Sequence, residues 1–207
     1  WPAIQVQYRN IDQAHFRIVR ADWAGRMKAG RGRRAESLDP NDRKEMLARK
    51  PDREWSVKLP ATADYQERVE ELPAPQDLKP GFYFLLASYD PAFGGTDNQV
   101  HYTDFWVSNL ALIVRSRWDD AQTQGFVLDA NSGEPLEGAE IQLWRRDNRD
   151  NTWGADPAVR TDKNGLFSVG GRPNQSYSLL VTHKGQQIAA GNEYYGRDRA
   201  RRLDPSR

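Results

Sequence analysis

Asp129, Asn131, Ser132, Gly133 and Glu134 crowd oxygen-bearing and turn-forming side chains into six positions. Such residues at this spacing begin either a calcium loop or a tight turn. A calcium loop needs further acidic ligands and a distal Glu at fixed spacing, and Pro135 and Leu136 interrupt the run. The segment therefore reads as a turn in which Asp129 and Asn131 satisfy nearby backbone groups. His15, His101 and His183 lie far apart, with no second ligand at metal spacing, and read as strand-borne surface or edge residues. Glu67, Glu70 and Glu71 are the residue type that hydrolyses glycosides, but that chemistry needs two carboxyls facing one cleft. Three acids beside Arg68 in one segment read as a solvated face. Arg26, Lys28, Arg31, Arg33 and Arg34 form a basic run without the interleaved aromatics of a nucleic-acid groove, and read as a solvated loop. No Gly-x-Ser-x-Gly elbow is present, and Gly94-Gly95 lacks the Lys and following helix of a phosphate loop. Trp1, Trp23, Trp118 and Trp153 fall near loops or strand ends, where they suit either a sugar-binding platform or packing between domains. No catalytic, cofactor-binding or metal-ligating residue is assigned, and no cofactor is expected.

The elements that would hold these residues are strands. Ile4, Val6 and Tyr8 alternate with polar residues, as do Phe16 and Ile18, and again Trp55, Val57 and Leu59. The first two runs read as paired strands across a turn at Arg9–Asp12. From Ala24 to Glu36 the chain is Gly-, Arg- and Lys-rich without period and reads as a loop. Asp39 then caps a short helix that has Pro40 at its first position and ends before Pro51. Tyr65–Leu72 fits either period, and its context favours a strand. Phe82–Ser88 is apolar on both faces, which predicts a central strand. Tyr102–Val114 reads as a long strand bent near Ser108-Asn109.

The run Gly125–Val169 reads as short strands separated by turns. Phe126-Val127-Leu128 returns as Ala139–Trp144, and Asn164-Gly165 suits a two-residue hairpin turn before Leu166–Val169. Tyr177–Thr182 and Gln186–Ala190 follow, joined at Lys184-Gly185, and the Arg-rich end after Gly196 has no apolar pattern. The fold class is all-β: two consecutive antiparallel sandwiches, 1–108 with a loop and helix inserted at about 24–53, and 109–207 with a loose tail.

The 207 residues allow two such domains, and 7 Trp, 8 Tyr and 7 Phe supply apolar surface for two cores. A net charge of +1 argues against a nucleic-acid binder. No apolar run is long enough to span a bilayer. Zero Cys excludes disulfides, thiol catalysis and Cys-held metals within the chain. A start at Trp1 without Met suggests a processed product or an excised fragment.

Four runs in order carry a resemblance: Leu78–Ser88 with Pro80-Gly81, Tyr102–Val114 with Asn109-Leu110-Ala111-Leu112, Gly125–Ile141 with Gly133-Glu134-Pro135-Leu136-Glu137-Gly138-Ala139, and Thr161–Phe167. From about Leu78 to Val169 the chain resembles bacterial alpha-2-macroglobulin-like proteins, as a pair of macroglobulin-like domains from the N-terminal half. Carboxypeptidase-regulatory and transthyretin-like sandwiches share the Gly133–Ala139 pattern alone. The resemblance implies a protease trap in the periplasm or outside the cell, with the bait segment and any thioester elsewhere. It implies a structural, non-enzymatic role here, neighbouring macroglobulin-like domains as partners, and proteases as targets of the whole protein. The alternative is a carbohydrate- or protein-binding sandwich module of a surface protein or secreted enzyme.

Overall fold

A computed structural model describes residues 3–62, 65–94, 98–116, 122–147, 152–170, 175–190 and 194–195. The chain divides into two compact units. One runs up to Asp22 and from Gly32 to Val107, and the other combines Trp23–Arg31 with the chain from Ser108 onward.

The first unit contains β1 (Ala3–Tyr8), β2 (Gln13–Ala21), the helix Pro40–Ala48, β3 (Arg53–Lys58), β4 (Arg68–Pro73), β5 (Gly81–Ser88) and β6 (His101–Val107). Apolar residues at alternate positions of β1 and β2 face inward, so these strands bury one side more than the other. β1 pairs with β4 alone, and β3-β2-β5-β6 form a second antiparallel sheet. Tyr8, Phe16, Ile18, Tyr83 and Leu85 meet in the core between the two sheets, with Phe16 stacked on Trp55 at 5.1 Å. β5 is central and buried on both faces, as its sequence predicts. β1 and β2 are not a hairpin, because they belong to different sheets. The intervening Asn10 has φ 56, and its backbone N–H donates to Thr62 Oγ1, so the turn steps across the sandwich. Tyr65–Leu72 resolves as a strand only from Arg68.

The helix Pro40–Ala48 is capped by Asp39, whose Oδ1 accepts from Asp42 N at 2.8 Å. The expected loop at 24–36 instead holds a helix, α1 (Trp23–Lys28), and a 3-10 turn at Ala35–Ser37. α1 groups with the second unit, whereas the later helix, α2, stays with the first. Trp23, Arg26 and Met27 are buried, and the Trp23 ring meets Trp144 edge-on at 6.4 Å.

The second unit adds β7 (Leu110–Ser116), β8 (Gln122–Asp129), β9 (Glu140–Arg146), β10 (Trp153–Ala155), β11 (Val159–Arg160), β12 (Leu166–Gly170), β13 (Ser176–His183), β14 (Gln186–Ala189) and β15 (Tyr194–Tyr195). β12-β8-β7 form one sheet. β10-β9-β13-β14, with β11 beside β9 and β15 beside β13, form the other. Val127, Ile141, Phe167, Leu179 and Val181 fill the core between them. β8 and β9 are not a hairpin either; the turn-rich segment between them crosses from one sheet to the other. The run read as one strand over Tyr102–Val114 breaks at Ser108-Asn109, between β6 and β7.

The Asn164-Gly165 turn also differs from the expected two-residue hairpin. Gly165 alone has positive φ, at 71, and the turn links β11 to β12 across sheets. The two-residue turn with both residues left-handed is Lys184-Gly185, at φ 45 and 77, between β13 and β14. A Cβ on Gly165 would lie 2.6 Å from the Val127 carbonyl oxygen, whereas one on Gly133, at φ 75, meets nothing within 4 Å. Gly133→Ala should therefore lose about 1 kcal/mol, the cost of left-handed backbone alone. Gly165→Ala adds a backbone clash and should lose about 3 kcal/mol. Urea midpoints at unchanged slope measure both, and equal losses would refute the steric account.

Candidate functional site

The Asp129 turn gathers several polar groups in the second unit. Asp129 Oδ1 accepts from Asn131 N and Ser132 N, each at 2.9 Å, and from Ser132 Oγ at 3.4 Å. Gly133 N donates to the Asp129 carbonyl and Asp129 N to the Glu134 carbonyl, both at 2.8 Å. These backbone donors, Ser132 first and Asn131 next, hold the Asp129 carboxyl below the usual carboxylate range. Asp162 repeats the device: its Oδ1 accepts from Asn164 N and Leu166 N at 2.9 Å each. In both turns a carboxylate oxygen that could hold a cation faces N–H donors of its own loop.

The remaining candidates are scattered. His15 is half-buried in β2 and His101 exposed on β6, while His183 is half-buried in β13 of the other unit. Among the described residues no group of three or more His, Cys, Asp or Glu is placed to hold a metal ion. Glu70 and Glu71 are consecutive strand residues and point to opposite faces of β4, and Glu67 accepts from Gln7 Nε2. Glu67 and Glu71 are exposed and Glu70 is half-buried. The basic run is also divided: Arg26, Lys28 and Arg31 belong to the second unit, Arg33 and Arg34 to the first. Arg26 is buried, and Arg34 lies 3.7 Å from Glu36. Trp23 and Trp153 are buried and offer no sugar-stacking face. Trp1, Trp118, Gly95 and the Arg-rich end lie outside the described residues.

Asp104 of β6 is a partly buried acid with no motif around it in the sequence. Burial pushes its carboxyl above the usual range, opposed by the hydrogen bond that Oδ1 accepts from Ala35 N at 2.7 Å. It ties the 3-10 turn to the sheet. Nearby, the Arg43 guanidinium lies 5.4 Å from the Tyr102 ring centre. One shallow hollow in the first unit is lined by Asn10, Ile11, Asp12, Ala61, Thr62 and Tyr65. Its hydroxyl, Thr62 Oγ1, is already bonded to Asn10.

A second feature is apolar. Ile113 on β7, Phe126 on β8 and Leu166 on β12 are directly paired neighbours, so they form one row across the outer face of the three-stranded sheet. They are 53%, 42% and 37% exposed. In the sequence Phe126 is part of the apolar strand Phe126-Val127-Leu128. Its signal was an aromatic residue at an outward position, where alternation calls for a polar one.

No protein-family model matches the chain, and no curated protein matches it by sequence. Solved structures do. Native alpha-2-macroglobulin from Escherichia coli, in a structure spanning domains NIE and MG1, aligns over 91% of this chain and 87% of its own length, at 16% identity and a TM-score of 0.68. A structure of the same protein spanning MG0, NIE and MG1 aligns over 91% of this chain and 57% of its own length, at 15% identity and a TM-score of 0.67. At these identities the likeness is one of fold: the chain has the all-β, macroglobulin-like architecture of that domain pair. No helix among the described residues is long and apolar enough to cross a membrane.

The two displaced carboxyls predict opposite pH behaviour. The Asp129 carboxyl is lowered in the folded state from 3.8, so its contribution to stability is present above that value and lost as pH falls through the folded one. The Asp104 carboxyl is raised from 3.8, so its contribution is present below that value and lost as pH rises through the folded one. Carboxyl-detected NMR titration should find Asp129 below and Asp104 above the ordinary aspartate value of 3.8. Asp129→Asn should reduce the fall in stability on acidification, and Asp104→Asn should make it steeper. Millimolar calcium should leave the melting temperature unchanged; a rise abolished by Asp129→Asn would restore the calcium reading.

Proposed function

We propose that this chain is a structural domain pair of a larger alpha-2-macroglobulin-type protein that inhibits proteases by trapping them. The observation that supports this most is the fold match, which runs through both units and covers 91% of the chain. The internal chemistry agrees with a scaffold. Polar side chains at the turns are spent on their own backbone, as at Asp129 and Asp162. Among the described residues no group of three or more His, Cys, Asp or Glu is placed to hold a metal ion. On this reading the chain is not itself an enzyme. Its partners are neighbouring macroglobulin-like domains, and proteases are targets of the whole protein.

In such a trap, cleavage of a bait segment releases a rearrangement that encloses the protease. Walls made of sandwiches with separate cores suit that task, because each domain moves as a body without losing its packing. The bait and any thioester lie outside these residues, and the chain holds no Cys that could form a thioester. A periplasmic or extracellular place follows from the targets such a trap meets.

An antibody raised against the 207-residue chain tests this in the native cells. The expected band is several times larger than 23.7 kDa. On adding a protease it should be cut at one preferred place and then migrate with the protease, while the 207-residue chain alone inhibits nothing. A native polypeptide of this chain's own size would sink the proposal.

A further inference from the structure

We infer that the row Ile113–Phe126–Leu166 is a docking surface for an adjoining β-sandwich domain of the same polypeptide. This inference rests on the reading of the chain as part of a longer, multidomain protein.

The geometry comes from register. Ile113 pairs with Phe126, and Phe126 with Leu166, so one outward-facing row is apolar on all three strands. Directly paired residues on one face sit about 5 Å apart at Cβ, close enough to present one continuous surface. The next row toward Asp129 is Ala111 with Leu128, again uncharged. The row on the other side is Arg115, Gln124 and Ser168, which brings in the first charge. The patch is thus an apolar centre with a polar border on one side, the pattern of an interface rather than of a solvated sheet face.

The unit treats its two outer faces differently. On the six-stranded sheet the outward Trp144, Ser178 and Leu180 are buried, and Trp23 of α1 lies against Trp144. On the three-stranded sheet the outward row stays 37–53% exposed. Among the described residues, the first face is covered from within the chain and the outward row of the second is not.

The size of the row selects its occupant. Three half-exposed side chains present on the order of 300 Å². A lasting contact between separate molecules takes about 800 Å² from each partner. A second copy of this chain would therefore be held too weakly. A domain on the same polypeptide is present at millimolar effective concentration, and a small patch suffices to seat it. The Escherichia coli structure that carries MG0 in addition to NIE and MG1, of which this chain spans 57%, is an example of a chain with such a further domain. The occupant should offer an uncharged, apolar strand face or loop to the row, with an acceptor within reach of Arg115.

Because the chain has no cysteine, Phe126→Cys and Leu166→Cys each place one reactive thiol on the row at an exposed position that the fold tolerates. Maleimide labelling would be followed in the 207-residue chain and in the native-length polypeptide, with peptide mapping to locate the label. The expected result is labelling at least tenfold slower in the native-length protein for both variants. Equal rates in a native protein that does carry further domains would overturn the docking surface and leave the domain-pair reading intact. Protection that appears in the 207-residue chain and grows with its concentration would overturn it in favour of self-association. A native polypeptide no longer than this chain removes the multidomain reading itself, before any labelling is done.

Discussion

The second unit depends on how its two sheet-to-sheet crossings are fastened to each other, and Thr161 is the fastening. Its hydroxyl accepts from Ala139 N at 2.9 Å and donates to the Leu136 carbonyl at 2.6 Å. Its backbone N–H bonds the Ala139 carbonyl, and its carbonyl accepts from Gly138 N, both at 3.0 Å. Thr161 is buried, so each of these groups would be costly to leave unpaired. The same crossings are pinned to β8 at Val127, whose N–H reaches the Gly165 carbonyl and whose carbonyl accepts from Leu136 N, at 2.9 Å each. One loop enters β9 and the other enters β12, so the relative placement of the two sheets is set at this joint. The core of Val127, Ile141, Phe167 and Leu179 packs within that frame.

That joint also explains which parts of the fold could be read from the sequence. Period-two alternation reports that a strand exists and which side it buries, and it located most of the longer strands. It does not report which strand is the partner. Turn residues satisfy backbone groups equally well in a hairpin and in an arch between sheets, so Arg9–Asp12 and Asn131–Gly138 both read as hairpins and are both crossings. Long-range pairing, as between β1 and β4, is decided by core complementarity that no local window contains. α1 escaped for a different reason. Six residues with a Gly in the middle make too little periodic signal, and Trp23, Arg26 and Met27 are buried by tertiary packing.

The candidate residues can be followed one by one into the geometry. Catalysis and metal binding need polar groups from separate elements converging on one point. The two aspartate turns are local: Asp129 bonds Asn131 and Ser132, and Asp162 bonds Asn164 and Leu166. At Asp129 those backbone bonds favour the charged form and hold the carboxyl below its usual range. Glu70 and Glu71 fail by parity, since consecutive strand residues cannot share a face. The apolar row, by contrast, was invisible because it arises only from register. Ile113, Phe126 and Leu166 are separated by 12 and 39 intervening residues in the chain and meet only when β7, β8 and β12 align.

A domain within a longer chain faces a constraint that an isolated domain does not: some of its surface is meant to be covered, yet it must fold before the cover arrives. A large apolar face would endanger the folding intermediate through edge and face association. A row three residues wide avoids that hazard. It is too small to hold foreign molecules together, and it gains affinity only when tethering raises the local concentration of its partner. The six-stranded sheet meets the same constraint with α1, a segment inserted between β2 and α2 in sequence, whose Trp23 lies on Trp144. On the docking proposed here, the difference between the two outer faces follows from what each must do: one is covered within the chain, and the other awaits its partner domain.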